Sequence, residues 1–165
     1  MSRKLPPAKF VRSVLKSFMA ESGLEPRLFG QHMRITDASD GKVDFELDIQ
    51  QEHTNRLNII HGGTIASMVD LGGSLAVASK GLYATGVSTD LNVTYLSSGG
   101  KVGDTIKATA LCEKIGKTLA FTTISFKNAK GELAARGSHT KYVTQAWGAH
   151  PSYTPPEDAE IDDVD

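Results

Sequence analysis

The order of patterns along the chain predicts an α+β domain: one strongly curved antiparallel sheet packed on a long helix. Three observations carry this. A nearly continuous apolar stretch from about Gly62 to Lys80 is too long for a strand and ends near Gly81. After it come four segments that read as strands, GVSTDLNVTYL, DTIKATALCEKIG, KTLAFTTISFKN and ELAARGSHTKYVT. Their joints, SSGGKVG, IGK and NAKG, carry turn chemistry, and such short joints imply an antiparallel meander.

The elements follow in order. Residues 8–20 predict a short amphipathic helix with Phe10, Val14, Leu15 and Phe18 on one face. The first twenty residues contain basic residues and no Asp or Glu, so a mitochondrial presequence and a surface helix both fit. In KVDFELDIQ, residues 42–50, Val43, Phe45, Leu47 and Ile49 alternate with polar partners, which is a strand with one wet face. In the long helix Ile65, Ala66, Met68, Val69, Leu71, Leu75, Ala76 and Val77 nearly encircle the axis, which predicts burial on most sides. Gly72 and Gly73 cost roughly 1 kcal/mol each relative to Ala, and a close approach of sheet backbone would explain them. After Val143, QAWGAHPSYTPPEDAEIDDVD is rich in Pro and acid and has no apolar period. The expected plan is a helical segment over 1–29, a core domain over 30–144 and a disordered tail over 145–165.

Composition excludes several classes. A length of 165 residues suits one domain. A net charge of -1 gives no global electrostatic case for nucleic acid. No apolar run approaches a membrane span. The single cysteine, Cys112, cannot form an internal disulfide, which suggests a cytoplasmic or mitochondrial location and no secretion. His53, His61 and His139 make no familiar metal pattern. Gly116-Lys117-Thr118 looks like the tail of a phosphate loop, but the earlier glycine it requires is Leu111 and the segment joins two strands. A nucleophile elbow of the form GxSxG is absent.

The stretch HTNRLNIIHGGTIASMVDLGG, residues 53–73, carries the chemistry. Gly62 and Gly63 at a loop-to-helix junction leave backbone N–H groups uncovered at the positive end of a helix dipole. Such an end can polarise a carbonyl oxygen or simply start the helix. Asp70 sits among apolar residues, and its helical neighbours Ala66, Ser67, Gly73 and Ser74 are all small. A carboxylate there is costly unless it is paired or solvated. An exposed or capped structural Asp also fits. Eight residues separate Gly62 from Asp70, roughly 12 Å along a helix axis. If both serve one reaction they come from two copies of the chain, which predicts a site at a homodimer interface.

HTNRLNIIHGGTIASMVD, followed by GVSTDLNVTYLS, GKTLAFTTISF and GSHTKYV, closely resembles the hotdog-fold acyl-CoA thioesterases of the PaaI-like group. The likeness runs from about residue 30 to 143. It implies a hotdog fold, in which a curved antiparallel sheet wraps a central helix, two subunits share a continuous sheet, and dimers pair into a homotetramer. It implies hydrolysis of an acyl-CoA thioester to acid and CoA, a reaction of fatty acid metabolism with no cofactor beyond the CoA of the substrate and product. By the same resemblance, Gly62 donates its N–H to the thioester oxygen. Asp70 of the partner acts as general base on water, or as a nucleophile. Asn55 lies near the thioester, Ser88 helps place the water, and His61 orients the group. The resemblance puts CoA along Ser88, Asp90, Tyr95, Leu96, Ser97, Ser98, Gly99, Gly100 and Lys101. A second stretch covers Lys114, Ile115, Gly116, Lys117, Thr118 and Leu119, with Tyr142 at a strand end. Lys101, Lys114, Lys117 and Lys141 are the candidate cations for its phosphates. SSGGK departs from the family pattern by one extra residue and a missing proline. Two other readings stay open: a hotdog 3-hydroxyacyl thioester hydratase or dehydratase using His61 with an acid, and a non-catalytic acyl-CoA-binding module.

Overall fold

Alternation in the sequence becomes a sheet with one dry face. The computed structural model describes residues 5–148. Helix α1 (Pro7–Glu21) and a short α2 (Leu24–Leu28) precede strands β1 (Met33–Ser39) and β2 (Lys42–Asp48). A single 3-10 turn at Gln51–His53 leads to helix α3 (Gly62–Ala78). Strands β3 (Val87–Tyr95), β4 (Thr105–Ile115), β5 (Leu119–Lys127) and β6 (Leu133–Tyr142) complete the chain. All six strands form one antiparallel sheet in the order β1-β2-β4-β5-β6-β3. Helix α3 packs against β2 through β6, giving the expected α+β architecture.

The meander is corrected in two places. β1 was not expected. It forms a hairpin with β2 across Asp40-Gly41, where Gly41 takes φ 78. Its alternation is hidden because the register slips between Ile35 and Asp37. The second change is larger. β3 does not pair with β4, its neighbour in sequence, but crosses to the far side of β6. Turn residues report that the chain bends, not which strand it then meets. The joint between β3 and β4 is fixed at the start of α3, where the Ile60 N–H donates to the Gly100 carbonyl and Ile59 bridges Lys101. Gly99 is buried there, and a Cβ on it would press on Ile60 and Ile106.

The core lies between α3 and the sheet. Phe45, Leu47, Met68, Leu75, Ile106, Ile124 and Phe126 are fully enclosed. Gly72 and Gly73 permit this packing, but they admit side chains rather than sheet backbone. A Cβ at Gly72 would stand 3.0 Å from Phe45 and Ile124 atoms, and one at Gly73 would overlap the His139 ring. Helix α1 starts with Pro7, a residue suited to the first turn. It seals the same core with Phe10, Val11, Val14 and Leu15. Of residues 145–165, read from sequence as a tail, only 145–148 are described. Ala146 packs with Val77, Leu82, Ala120 and Val143, and the Trp147 indole N–H donates to the Gly116 carbonyl. The remainder lies outside the described residues. Among the described residues no helix is long and apolar enough to cross a membrane.

Candidate active site

Two groups of polar residues flank α3, and the sheet determines which residues meet. The first group is at the helix start. His61 is extended (φ -69, ψ 138), and its Nδ1 accepts the Gly63 N–H at 2.7 Å. Its role here is to cap α3. The Gly62 N–H meets no acceptor among the described residues, so it stands as an open donor at the positive helix end. The Gly62 carbonyl accepts the Tyr95 hydroxyl at 2.6 Å, which ties the last residue of β3 to the helix start. Burial pushes the Tyr95 hydroxyl up in pKa, so it stays a donor at neutral pH. Asn55 Oδ1 accepts the Leu57 N–H at 2.9 Å and, more weakly, the Ile59 N–H at 3.4 Å. Its carbonyl therefore shapes the loop, while its amide N–H groups make no bond among the described residues.

The second group surrounds Asp70, two helical turns on. The Asp70 side chain is 57% exposed, and its Oδ1 lies 4.0 Å from His139 Nε2. His139 is completely buried on β6, and its Nε2 is 2.7 Å from Ser88 Oγ on β3. Its Nδ1 makes no hydrogen bond of good geometry, although the Asp70 backbone carbonyl acts on the ring as an acceptor. Two residues along β6, Lys141 is 3% exposed and donates to Ser74 Oγ at 3.0 Å. Burial lowers the His139 pKa, and the Lys141 charge lowers it further. Asp70 opposes both. Burial also lowers the Lys141 pKa, again opposed by Asp70.

The site residues expected from sequence thus divide. Ser88 and Asp70 converge through His139. Gly62 and Asp70 do not meet, because they stand on one straight helix about 12 Å apart. The two expected CoA segments are likewise separated. Tyr95 to Lys101 lie beside the start of α3, before β4, whereas Lys114 to Leu119 form the turn at the far end of β4. Eleven strand residues put roughly 35 Å between these ends. Tyr142, opposite Leu119, belongs to the far end. Leu96, Ser97, Ser98, Lys101, Lys114, Gly116, Lys117 and Thr118 are exposed, while Gly100 and Ile115 are half-buried. Asp90 pairs with Thr140 and so faces away from the wall that carries His139. Lys141 is not a surface cation, because strand alternation turns it inward under α3.

The sequence names His139 only as a rejected metal ligand, Lys141 only as a candidate cation for CoA and Ser74 only as a small neighbour of Asp70, and joins none of them to the Asp70 site. The signal was present: in LAARGSHTKY the alternation that buries Ala135 also turns His139 and Lys141 inward. His53, also buried, has a structural task. Its Nδ1 accepts the Gln50 N–H at 2.9 Å, and its Nε2 meets the Leu28 carbonyl.

Comparison with known proteins points to one family. A family model described as thioesterase superfamily matches residues 57–135. A putative esterase of Schizosaccharomyces pombe is 43% identical over 84% of this chain and 86% of its own length. Human acyl-coenzyme A thioesterase 13 is 40% identical over 81% of this chain and 94% of its own. The crystal structure of zebra fish thioesterase superfamily member 2 superimposes with a TM-score of 0.75 at 35% identity, covering 84% of this chain and 98% of that one.

Proposed function

The chain belongs to the thioesterase superfamily, and from that premise we propose that it hydrolyses acyl-CoA thioesters to a carboxylic acid and CoA at a site completed by a second copy of itself. One observation carries the reading. The open Gly62 donor and the exposed Asp70 carboxylate are both poised for chemistry, yet one helix holds them about 12 Å apart. Antiparallel pairing of two α3 helices would bring Gly62 of one protomer to Asp70 of its mate. The exposed β3 edge supports that pairing.

The reaction follows from the groups. Water attacks the thioester carbonyl carbon while Asp70 takes a proton from it. The negative charge that forms on the oxygen is held by the Gly62 N–H, a donor of a kind worth roughly 3 kcal/mol in the transition state. Collapse breaks the C–S bond, and the departing sulfur receives the proton from Asp70. Ser88, hydrogen-bonded to His139, orients the water, and Asn55 offers its free amide to the thioester oxygen. His61 holds the Gly62-Gly63 turn in place. The Tyr95–Lys101 segment of one copy and the Lys114–Leu119 turn of the other would hold the two ends of CoA, with the exposed Lys101 and Lys117 facing its phosphates.

Free-thiol release measured over a panel of acyl-CoA chain lengths tests the proposal. Steady release with at least one member of the panel is expected. Hydration of an enoyl-CoA without thiol release would favour the hydratase reading, and tight CoA binding without turnover would favour a binding module.

A further inference from the structure

The reaction above leaves Lys141 without a task. Its ammonium is buried, with one hydrogen bond, to Ser74 Oγ. Among the described residues no carboxylate oxygen lies within 4.0 Å of it. An ammonium carries three donors, and burying it with one of them bonded is costly. A buried charge of this kind is weak evidence for stability, so its use is sought in the site beside it.

Lys141 and His139 are two residues apart on β6 and face the same way. Ser74 and Asp70 are four apart on α3 and also share a face. Ammonium, imidazole and carboxylate therefore line one wall between strand and helix. Building on the thioesterase reading, we propose that Lys141 is a positioning residue: its ammonium, tethered on Ser74, holds His139 neutral and so leaves Asp70 free to act as the base.

The reasoning is electrostatic. An imidazolium 4.0 Å from Asp70 Oδ1 would form an ion pair with it, and a paired carboxylate is a poorer base. Protonation would also make both ring nitrogens donors, so Ser88 Oγ could then only accept from Nε2. Asp70 on α3 and Asp90 on β3 both favour that charged form. On β5 the side chain bonded to His139 is the neutral Thr122, whose hydroxyl donates to the His139 carbonyl. Only burial and Lys141, on β6 itself, oppose protonation. Ser74 explains why the cation does not seize Asp70. It anchors Nζ one helical turn from Asp70, outside ion-pair distance, where the ammonium still acts on His139 while feeling the Asp70 charge.

The test is an NMR titration of the His139 imidazole in the intact assembly, with histidines labelled at Cε1 and the signal assigned through His139→Gln. In the wild type, His139 should be less than half protonated at about pH 6.5, where an ordinary histidine is half protonated. In Lys141→Met its midpoint should rise by about one pH unit, a tenfold change in the protonation equilibrium. The acidic limb of kcat/KM should move in the same direction, and Lys141→Arg should restore the wild-type limb. Ser74→Ala, which removes only the tether, should move the midpoint the same way by less. A wild-type midpoint at or above 6.5, or no movement in whichever of Lys141→Met and Ser74→Ala folds, overturns the proposal. The titration needs no substrate, so it decides the role of Lys141 even where thiol release fails.

Discussion

The sheet ends in two edge strands, and the chain treats them oppositely. β1 is covered. Helix α1 lies against it, and the Arg12 guanidinium donates to the Ile35 carbonyl at 3.2 Å. Arg34, facing solvent on β1, is paired with both Glu46 and Asp48. Arg34 and the Thr105 hydroxyl hold the Asp48 carboxyl down at about 2. β3 at the other edge is bare. Val87 through Asp90 are all exposed, and Val87 and Tyr95 keep 63% and 52% of their surface open. Unprotected edges invite pairing with another chain, and proteins usually blunt them. On the proposed reading, a chain that caps one edge and leaves the other open beside its exposed Asp70 separates two tasks: the β1 side secures the fold, and the β3 side is kept for a second copy and for catalysis.

That division predicts reciprocal lesions. The largest effect belongs to Asp70→Asn on the open side. Thiol release should fall roughly a hundredfold to ten-thousandfold, while the urea unfolding midpoint and the assembly state hold. Near-native turnover would remove the proposed base. Phe10→Ala on the covered side should do the reverse. It should lower the unfolding free energy by about 3 kcal/mol, with turnover per folded molecule unchanged. A loss of turnover without a loss of stability would break the comparison. Tyr95→Phe sits where the two tasks touch, because its hydroxyl bonds the Gly62 carbonyl. One such hydrogen bond is worth about 1 kcal/mol, or roughly fivefold in kcat/KM. The smallest effect is on pH dependence. The His139 pKa is lowered in the folded chain, so between its folded value and about 6.5 the unfolded chain binds more protons, and stability rises with pH. His139→Gln should flatten that part of the stability curve, and an unchanged slope would mean another group causes it.

The legibility of the sequence differs between the two sides. Helix α3 announces itself by its apolar run, and Asp70 stands out because it interrupts that run. If Gly62 and Asp70 serve one reaction, the same spacing requires a second copy, since helix geometry alone keeps the two apart. β1 was missed because its slip between Ile35 and Asp37 breaks the alternation that marks a strand. The crossing of β3 to β6 was missed because strand partners are chosen by burial against α3, which no turn residue encodes. Lys141 was misread as a surface cation because charge was weighed ahead of register. Position two beyond the buried His139 places it inside.

Subunit complementation tests the shared site most directly. Gly62→Pro removes the N–H donor in a backbone that accepts it, because proline is tolerated at the first helical position and His61 already has the extended backbone that precedes a proline; the exposed Tyr95 ring, 3.2 Å from the new Cβ, must give slightly. Neither Gly62→Pro nor Asp70→Asn alone should turn over acyl-CoA. Refolded together in equal amounts, they form mixed dimers in which one site carries both lesions and the other carries none. Recovery to about one quarter of wild-type turnover is expected from a two-fold symmetric pair. Mixed dimers that exchange freely yet stay inactive would contradict a site built from two chains.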